Sequence, residues 1–508
     1  MEQLIELVNI INKRKLSQVE ILDKSLISRK DTLFSKLYDG IANGEILTDK
    51  DAVHYLYNSN GDDKKDNAAF RKLKSRFKTR LLNTLYFIDV NNSSSNENSR
   101  KDYFECVNSL YLSNILLRYT ENRNASINIV IDAYSTAKKN NFFDILKEYS
   151  YKLLVHYGMT GNQKKYNEEY KAYLHYTKEY EWEQQAQVIY TKVMMTVHYT
   201  KQTLQERKTI IQDCIKEIEQ ISSKSKSLVV YFIYIRTLLF YYEIIGNNEK
   251  ITETCDKYLK QYKKYYTSIL APTYRNTIRI YKIKSLFDER KYENALETIL
   301  QAEEDAKGAS FLAVKEFEIK IYLNTKNTIA ARKLIQHLIS NNQYKVSSPI
   351  LKERWFVYNA YLEFLENYLE NGNYKFSLSK FVNDIPILFQ DKSGFNLSAK
   401  IITLLFHIGR NDLDNATQHV EALRVYQNRH LKDDSSVRCN LFLKLLMMME
   451  KKSFNYKELS QLSEHSLLKE MYRQQIVQEG EIIFYDLLWE ILLDILHKND
   501  LKILGVIK

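Results

Sequence analysis

Proline occurs three times in this chain of 508 residues, and glycine twelve times. Proline breaks helix interiors, and glycine serves the tight turns that sheets need in number. A chain with so little of either builds long helices joined by short polar connections. The expected fold class is all-α. Hydrophobic residues make up 44% of the chain and charged residues 27%, proportions that support packed cores rather than disorder.

Polar turns recur at nearly even intervals, each leading into an amphipathic helix. The clearest are GNQKKYNEEYKAYL (Gly161–Leu174), GNNEKITETCDKYL (Gly246–Leu259), ERKYENALETIL (Glu289–Leu300) and TKNTIAARKLIQHL (Thr325–Leu338). GNYKFSLSKFV (Gly372–Val382) and GRNDLDNATQHVEAL (Gly409–Leu423) continue the series, and a weaker copy lies near Thr200–Ile218. Turns at 161, 200, 246, 289, 325, 372 and 409 are 36 to 47 residues apart. That is the period of a stacked helix pair.

The stretch KIKSLFDERKYENALETILQAE (Lys282–Glu303) is the best-kept copy. Tyr292 and Ala295 stand as the turn aromatic and the small inter-helix residue do in a tetratricopeptide repeat, which this stretch resembles. Ile299 and Ala302 follow as packing positions, and Gly409 with Ala416 repeats the glycine and the small residue. These residues resemble the tetratricopeptide repeat. Elsewhere the pattern erodes: near Gly161 the small position holds Glu168 or Glu169, and near Gly246 it holds Thr252 or Glu253. The proline that usually ends such a repeat is missing throughout. The resemblance implies an α-α superhelix over residues 100–450, with the first helix of each pair lining a concave face.

Residues 1–90 read as a separate helical module. Leu4, Leu7, Val8 and Ile11 suggest one helix and Thr32–Ala42 a second. Thr48 is placed to cap a third helix, Thr48–Tyr57, with Asp49 and Asp51 at its positive end. A polar turn, Asn58–Asn67, leads to the helix Asn67–Val90. Its apolar stripe is Phe70, Leu73, Phe77, Leu81, Leu85 and Ile88, while Arg71, Lys72, Lys74, Arg76, Lys78 and Arg80 take its other faces. Such cations suit phosphate contact. The order resembles winged-helix domains joined to tetratricopeptide arrays in bacterial transcription regulators, although the turn and the helix are long and no wing hairpin follows. NNSSSNENS, residues 91–99, reads as a linker.

Residues 451–508 differ from the array. A loop at Lys451–Lys457 leads to helices near Tyr456–Ser463 and His465–Gln475. The last helix, expected over Gly480–His497, is apolar nearly all round. It suits a cap for the open end of a solenoid, or an oligomerisation helix.

The remaining signals concern partners. A net charge of +11 and a pI near 9.0 permit a polyanionic partner. Arg275, Arg279 and Lys282 lie at i, i+4 and i+7 on a first helix, and Arg236 sits among Tyr231, Tyr234 and Tyr241. Arginine and tyrosine along one groove suit an acidic or extended peptide. Acidic clusters such as Glu303–Glu304–Asp305 read as solvated turns. Cys106, Cys214, Cys255 and Cys439 are too far apart for a zinc site and fit reduced thiols. His407 and His419 can meet across a hairpin but lack a third ligand. No phosphate-binding loop, dinucleotide fingerprint, zinc-protease or nucleophile-elbow motif occurs. The reading is a cytoplasmic, non-enzymatic scaffold or regulator without metal, cofactor or membrane span. Its partner is a protein or peptide on the concave face; the alternative is a nucleic-acid-binding regulator using the basic helix.

Overall fold

The computed structural model describes residues 32–46, 48–58, 64–85, 98–119, 124–198, 203–261, 271–370, 372, 374–386, 394–430, 437–471 and 480–503. Of these residues 86% are helical, in 23 helices, and none lies in a strand. The chain is all-α, as its lack of turn residues predicts. The expected helix around Leu4–Ile11, and residues 91–97 of the expected linker, lie outside the described residues. The chain divides into two compact units, Met1–Leu174 and His175–Lys508.

The first unit opens with three short-linked helices: α1 (Leu33–Ala42), α2 (Asp49–Tyr57) and α3 (Lys64–Leu85). Thr48 caps α2 as expected. Its hydroxyl accepts from the Asp51 amide at 3.3 Å, and the Asp51 carboxylate accepts from the Thr48 amide at 2.7 Å. This reciprocal arrangement satisfies two amides that a helix start leaves open. Leu37, Ala52, Val53, Phe70 and Phe77 form the small core between the three. Then come α4 (Asn98–Tyr119), α5 (Asn124–Asn140) and α6 (Phe143–Met159). Residues 98 and 99, expected in the linker, belong to α4. The unit boundary falls within α7 (Gln163–His198).

In the second unit, helices come in antiparallel pairs. These are α8 (Leu204–Lys224) with α9 (Leu228–Ile244), then α10 (Asn248–Gln261), α11 (Ala271–Asp288) and α12 (Tyr292–Glu303). They continue through α13 (Ala309–Asn324), α14 (Thr328–Ser340), the short α15 (Asn342–Lys345), α16 (Pro349–Leu369) and α17 (Leu378–Asp384). The series ends with α18 (Gly394–Gly409) and α19 (Leu413–His430). The first helices pack on one another in series: α9 on α11, α11 on α13, α13 on α16, and α16 on α18. Ala295 and Ala416, the small residues of the repeat pattern, are fully buried, as are Ile299 and Ala302.

The turns themselves repeat. At Asn141, Gly161, Gly246, Arg290, Lys326, Asn411 and Ser453 the backbone enters the left-handed region, with φ between +48° and +70°. At each, that residue's amide donates to the carbonyl three residues back, and the next amide donates to the carbonyl five back. This double bond is the Schellman close of a helix. Only Gly161 and Gly246 meet the conformation without a Cβ penalty. Gly409, expected at such a turn, instead ends α18; Asn411 takes the left-handed place. Gly409 is small for another reason: a Cβ there would lie 2.7 Å from the buried ring of Tyr374.

The chain closes with α20 (Val437–Lys451), α21 (Tyr456–Leu459), α22 (Glu464–Met471) and α23 (Tyr485–Ile503). The last helix begins at Tyr485 rather than Gly480; Gly480 and Ile482 bond Ser398 and Asn324 through their carbonyls, and the Phe484 carbonyl accepts from Leu488 to open the helix. It packs on α18, α21 and α22, with Trp489 fully enclosed. Among the described residues no helix is long and apolar enough to cross a membrane.

The packing at Gly409 gives a direct test. Gly409→Ala must push the Tyr374 ring aside, so its urea midpoint should fall by the equivalent of about 1–3 kcal/mol. An unchanged midpoint would show that the ring yields freely.

Candidate functional site

At 100° per residue, the six cations of α3 do not share one face. Arg71, Lys74 and Lys78 lie on one flank of the buried Phe70–Leu73–Phe77 stripe; Lys72, Arg76 and Arg80 lie on the other. Lys74 pairs with Asp49 of α2, its ammonium 2.5 and 2.8 Å from the two carboxylate oxygens. The guanidiniums of Arg76 and Arg80 lie 5.8 and 4.4 Å from the ring centre of Phe34 in α1. Half of the set therefore helps hold α3 to its neighbours. Arg71, Lys72 and Lys78 are exposed to solvent.

The expected groove cations are also committed to partners. Arg275 and Arg279 both donate to Asp305, just beyond α12, and Arg279 donates to the Gln301 carbonyl at 2.7 Å. The Asp305 side chain is only 8% exposed, so the reading of a solvated turn is corrected at this residue, whose carboxylate two guanidiniums draw inward; Glu304 is exposed as expected. Lys282 pairs with Asp256 at 2.7 Å. Arg236 lies among aromatic rings, 4.9 Å from Tyr190, 5.6 Å from Phe232 and 5.9 Å from Phe240. The Tyr234 hydroxyl donates to Glu219 at 3.1 Å. These five side chains tie neighbouring helices together, and their charge is largely spent there.

A different set of residues converges on one place. Gly480–Asp486 (GEIIFYD) forms a strap that bends at Ile482 and Ile483 and enters α23 at Tyr485, and each of its residues is buried. Side chains of the array hold its main chain. Asn324, the last residue of α13, donates to the Ile482 carbonyl and accepts from the Phe484 amide, both at 2.9 Å. The Ser398 hydroxyl of α18 donates to the Gly480 carbonyl. Both aromatic side chains of the strap pack on rings of other helices. The Phe484 ring stacks on Phe287 at 5.0 Å, with the Arg290 guanidinium 4.6 Å from its centre. Tyr485 stacks on Phe442 at 4.3 Å.

The two acids of the strap meet two arginines. Arg438 of α20 grips Glu481 through Nε and Nη2, the closest contact 2.8 Å, and reaches Asp486 at 3.0 Å. Arg290, in the turn after α11, donates to both oxygens of Asp486 at 2.7 and 2.6 Å. Arg438, Glu481 and Asp486 are almost wholly enclosed, while the Arg290 side chain is a third exposed. Burial pushes both acids up. For Asp486, hydrogen bonds and charge from Arg290 and Arg438 outweigh this and hold it below its ordinary value. For Glu481 burial dominates despite Arg438. Arg290 occupies a left-handed turn that disfavours any side chain by about 1–2 kcal/mol; its contacts with Asp486 and Phe484 offset that cost.

Sequence reasoning assigned no role to Arg290, Asn324, Ser398, Arg438, Glu481 or Asp486. One signal was available: GEIIFYD brackets an apolar run with two acids, which a purely structural core segment does not require.

A small polar cleft adjoins α9–α11, lined by Glu243, Asn248, Ile251, Tyr281, Lys284, Ser285 and Asp288. Lys284 donates to Glu243, and Ser285 donates to the Asn248 carbonyl at 2.8 Å. Burial pushes the Asp288 carboxyl up to about 7, against the pull of Lys284 and Lys320. The His407 and His419 rings do meet, stacked 4.9 Å apart, and His407 bonds Asp412 through Nδ1 at 2.9 Å. No group of three metal-ligating side chains occurs among the described residues.

Asp288 gives the unit a defined pH response. Its folded value lies above the ordinary 3.8, so between about pH 4 and pH 7 the folded chain holds a proton that the unfolded chain has lost. This contribution to stability falls as pH rises. Asp288→Asn should therefore gain on the wild type from about pH 4 to about pH 7, with a constant margin above; a margin independent of pH in urea titrations would refute the burial of a neutral acid. No protein family, curated protein or solved structure matches the chain.

Proposed function

We propose that this chain is a non-enzymatic scaffold or regulator that binds a protein or peptide partner through its helical array. The observation that carries the reading is how the array treats residues 480–486. A carboxamide and a hydroxyl from two helices hydrogen-bond its main chain, and rings of other helices pack on its aromatic side chains. Main-chain bonds supply affinity and side-chain pockets supply specificity when extended peptides are recognised. Helices related by a repeat can present such groups along a row, because successive first helices pack side by side. Affinity purification of the full chain, with nuclease treatment and high-salt washing, should retain a defined protein. Retention of nucleic acid alone, or of nothing, would end this reading.

A second reading rests on α3. Arg71, Lys72 and Lys78 are exposed and make no ion pair among the described residues, which leaves them for phosphates. If they contact nucleic acid, affinity for duplex DNA will fall steeply with salt. Replacing all three by glutamate should then flatten the logarithmic salt slope by roughly three, at about 0.9 per phosphate contact. A slope unmoved by the triple variant would exclude α3 as the contact.

A further inference from the structure

We infer that the open face of the α6–α7 hairpin, in the first unit, is a docking surface for an amphipathic helix of a partner protein whose apolar stripe is edged by acids. This rests on the partner-binding reading above and names one surface through which it acts.

The hairpin is finished on one side only. Phe143, Leu146, Tyr149 and Leu153 of α6 are buried, and α6 packs on α4 and α5. Glu169 of α7 turns the same way, accepting from the Tyr134 hydroxyl of α5 at 2.8 Å. The opposite side is open. Tyr151 and Met159 of α6 and Tyr166, Tyr170 and Leu174 of α7 are exposed, Met159 by 65% and Leu174 by 50%. Contacts across the hairpin make them one surface. The Tyr166 ring lies 3.4 Å from where a Cβ on Gly158 would stand and stacks on Tyr170 at 6.4 Å, while Tyr151 meets Tyr173 at 5.8 Å. From Gln163 to Leu174 no residue of α7 is buried.

In a stack of hairpins the next helix covers such a side, as α11 covers α9 and α13 covers α11 in the second unit. After α6 no such helix follows: α7 runs on without a turn to His198. A face of repeat type is left without its covering helix. Contiguous apolar surface of this kind marks an interaction site, and tyrosine and methionine are enriched at the cores of such sites. The occupant is a helix, because a helix is what the repeat geometry places there.

Charge selects which helix. Going round α7 from Tyr170, past Leu174 and away from α6, the next side chains are Lys171 and Lys164, seven residues and about 10.5 Å apart on one line. Both are exposed and make no ion pair among the described residues. Glu168 stands further round, and Glu169 is taken by Tyr134. An incoming helix with acids seven residues apart along one edge meets both lysines while its apolar stripe covers Tyr166, Tyr170 and Leu174. A second copy of the chain would add two more lysines to this rim and no acid, so like charges disfavour it.

The test titrates the full chain into a labelled peptide helix with leucine at alternating spacings of three and four and glutamate elsewhere, and into its counterpart with lysine for glutamate. The glutamate helix should bind, and the lysine helix at least tenfold more weakly. Tyr170→Ala with Leu174→Ala removes largely exposed side chains at little cost to folding; it should weaken the glutamate helix at least tenfold. Lys164→Glu with Lys171→Glu should reverse the preference. Ile329→Ala, at an exposed apolar position of the second unit, should change nothing. Equal affinity for the two helices overturns the inference, as does binding untouched by the Tyr170 and Leu174 pair. Should that pair fail to fold, Met159→Gln in α6 takes its place with the same expected weakening. Dimerisation of the wild type that the pair abolishes would give the face to a second copy of the chain, and adsorption to anionic vesicles that the pair abolishes would give it to a membrane; either overturns the proposed partner. A protein retained alike by the wild type and by the pair would remove this surface and leave the scaffold reading in place.

Discussion

The charge quartet of buried Arg438, Glu481 and Asp486, with Arg290 at its edge, is the constraint on which the C-terminal half of the second unit depends. Taking ions out of water is costly, and a buried pair repays that cost only through close geometry and full hydrogen bonding. Arg438 engages two carboxylates and the Leu468 carbonyl, and Glu481 also accepts from the Tyr485 amide at 2.8 Å. That last bond helps start α23 while the residues before it stay out of the helix. The quartet links the turn after α11 to the base of the last helix, so the intervening hairpins must stack in register for the charges to meet. Losing Arg438 would take from Glu481, only 1% exposed, the guanidinium that grips it, at about 3–5 kcal/mol. Nonspecific collapse, by contrast, is tolerant of small errors.

Much of the architecture was legible beforehand. The scarcity of proline and glycine pointed to helices. Small residues such as Ala295 and Ala416 marked close approaches, and Thr48 announced its own capping bond. These features are local: each depends on residues within a turn or two. Turn chemistry was less legible, because five of the seven left-handed turn residues are Asn, Arg, Lys or Ser rather than Gly. At Arg290 the compensation lies across the fold, in Asp486, and no local pattern could reveal it.

The candidate site was hidden for the same reason. Arg275 and Arg279 have helical spacing and positive charge, which is all a sequence can show. Their neutralisation by Asp305 depends on how α12 folds back onto α11. Gly480–Phe484 is apolar like α23 and reads as continuous with it, but Asn324 and Ser398 take backbone groups of this stretch and the helix starts only at Tyr485. The basic set on α3 divides about a buried stripe, so a count of cations overstated what one surface can offer.

The strap also imposes an order in time. The left-handed turns and helix pairs close through contacts within a few tens of residues, and they can form as the chain is made. The charges of Arg290 find Asp486 only 196 residues later. At about 5–20 residues per second, synthesis leaves roughly 10–40 s between Arg290 and Asp486. Arg438 lies 48 residues before Asp486 and at the same pace waits only roughly 2–10 s. The turn after α11 is therefore made long before its counter-charge, and α20 shortly before it.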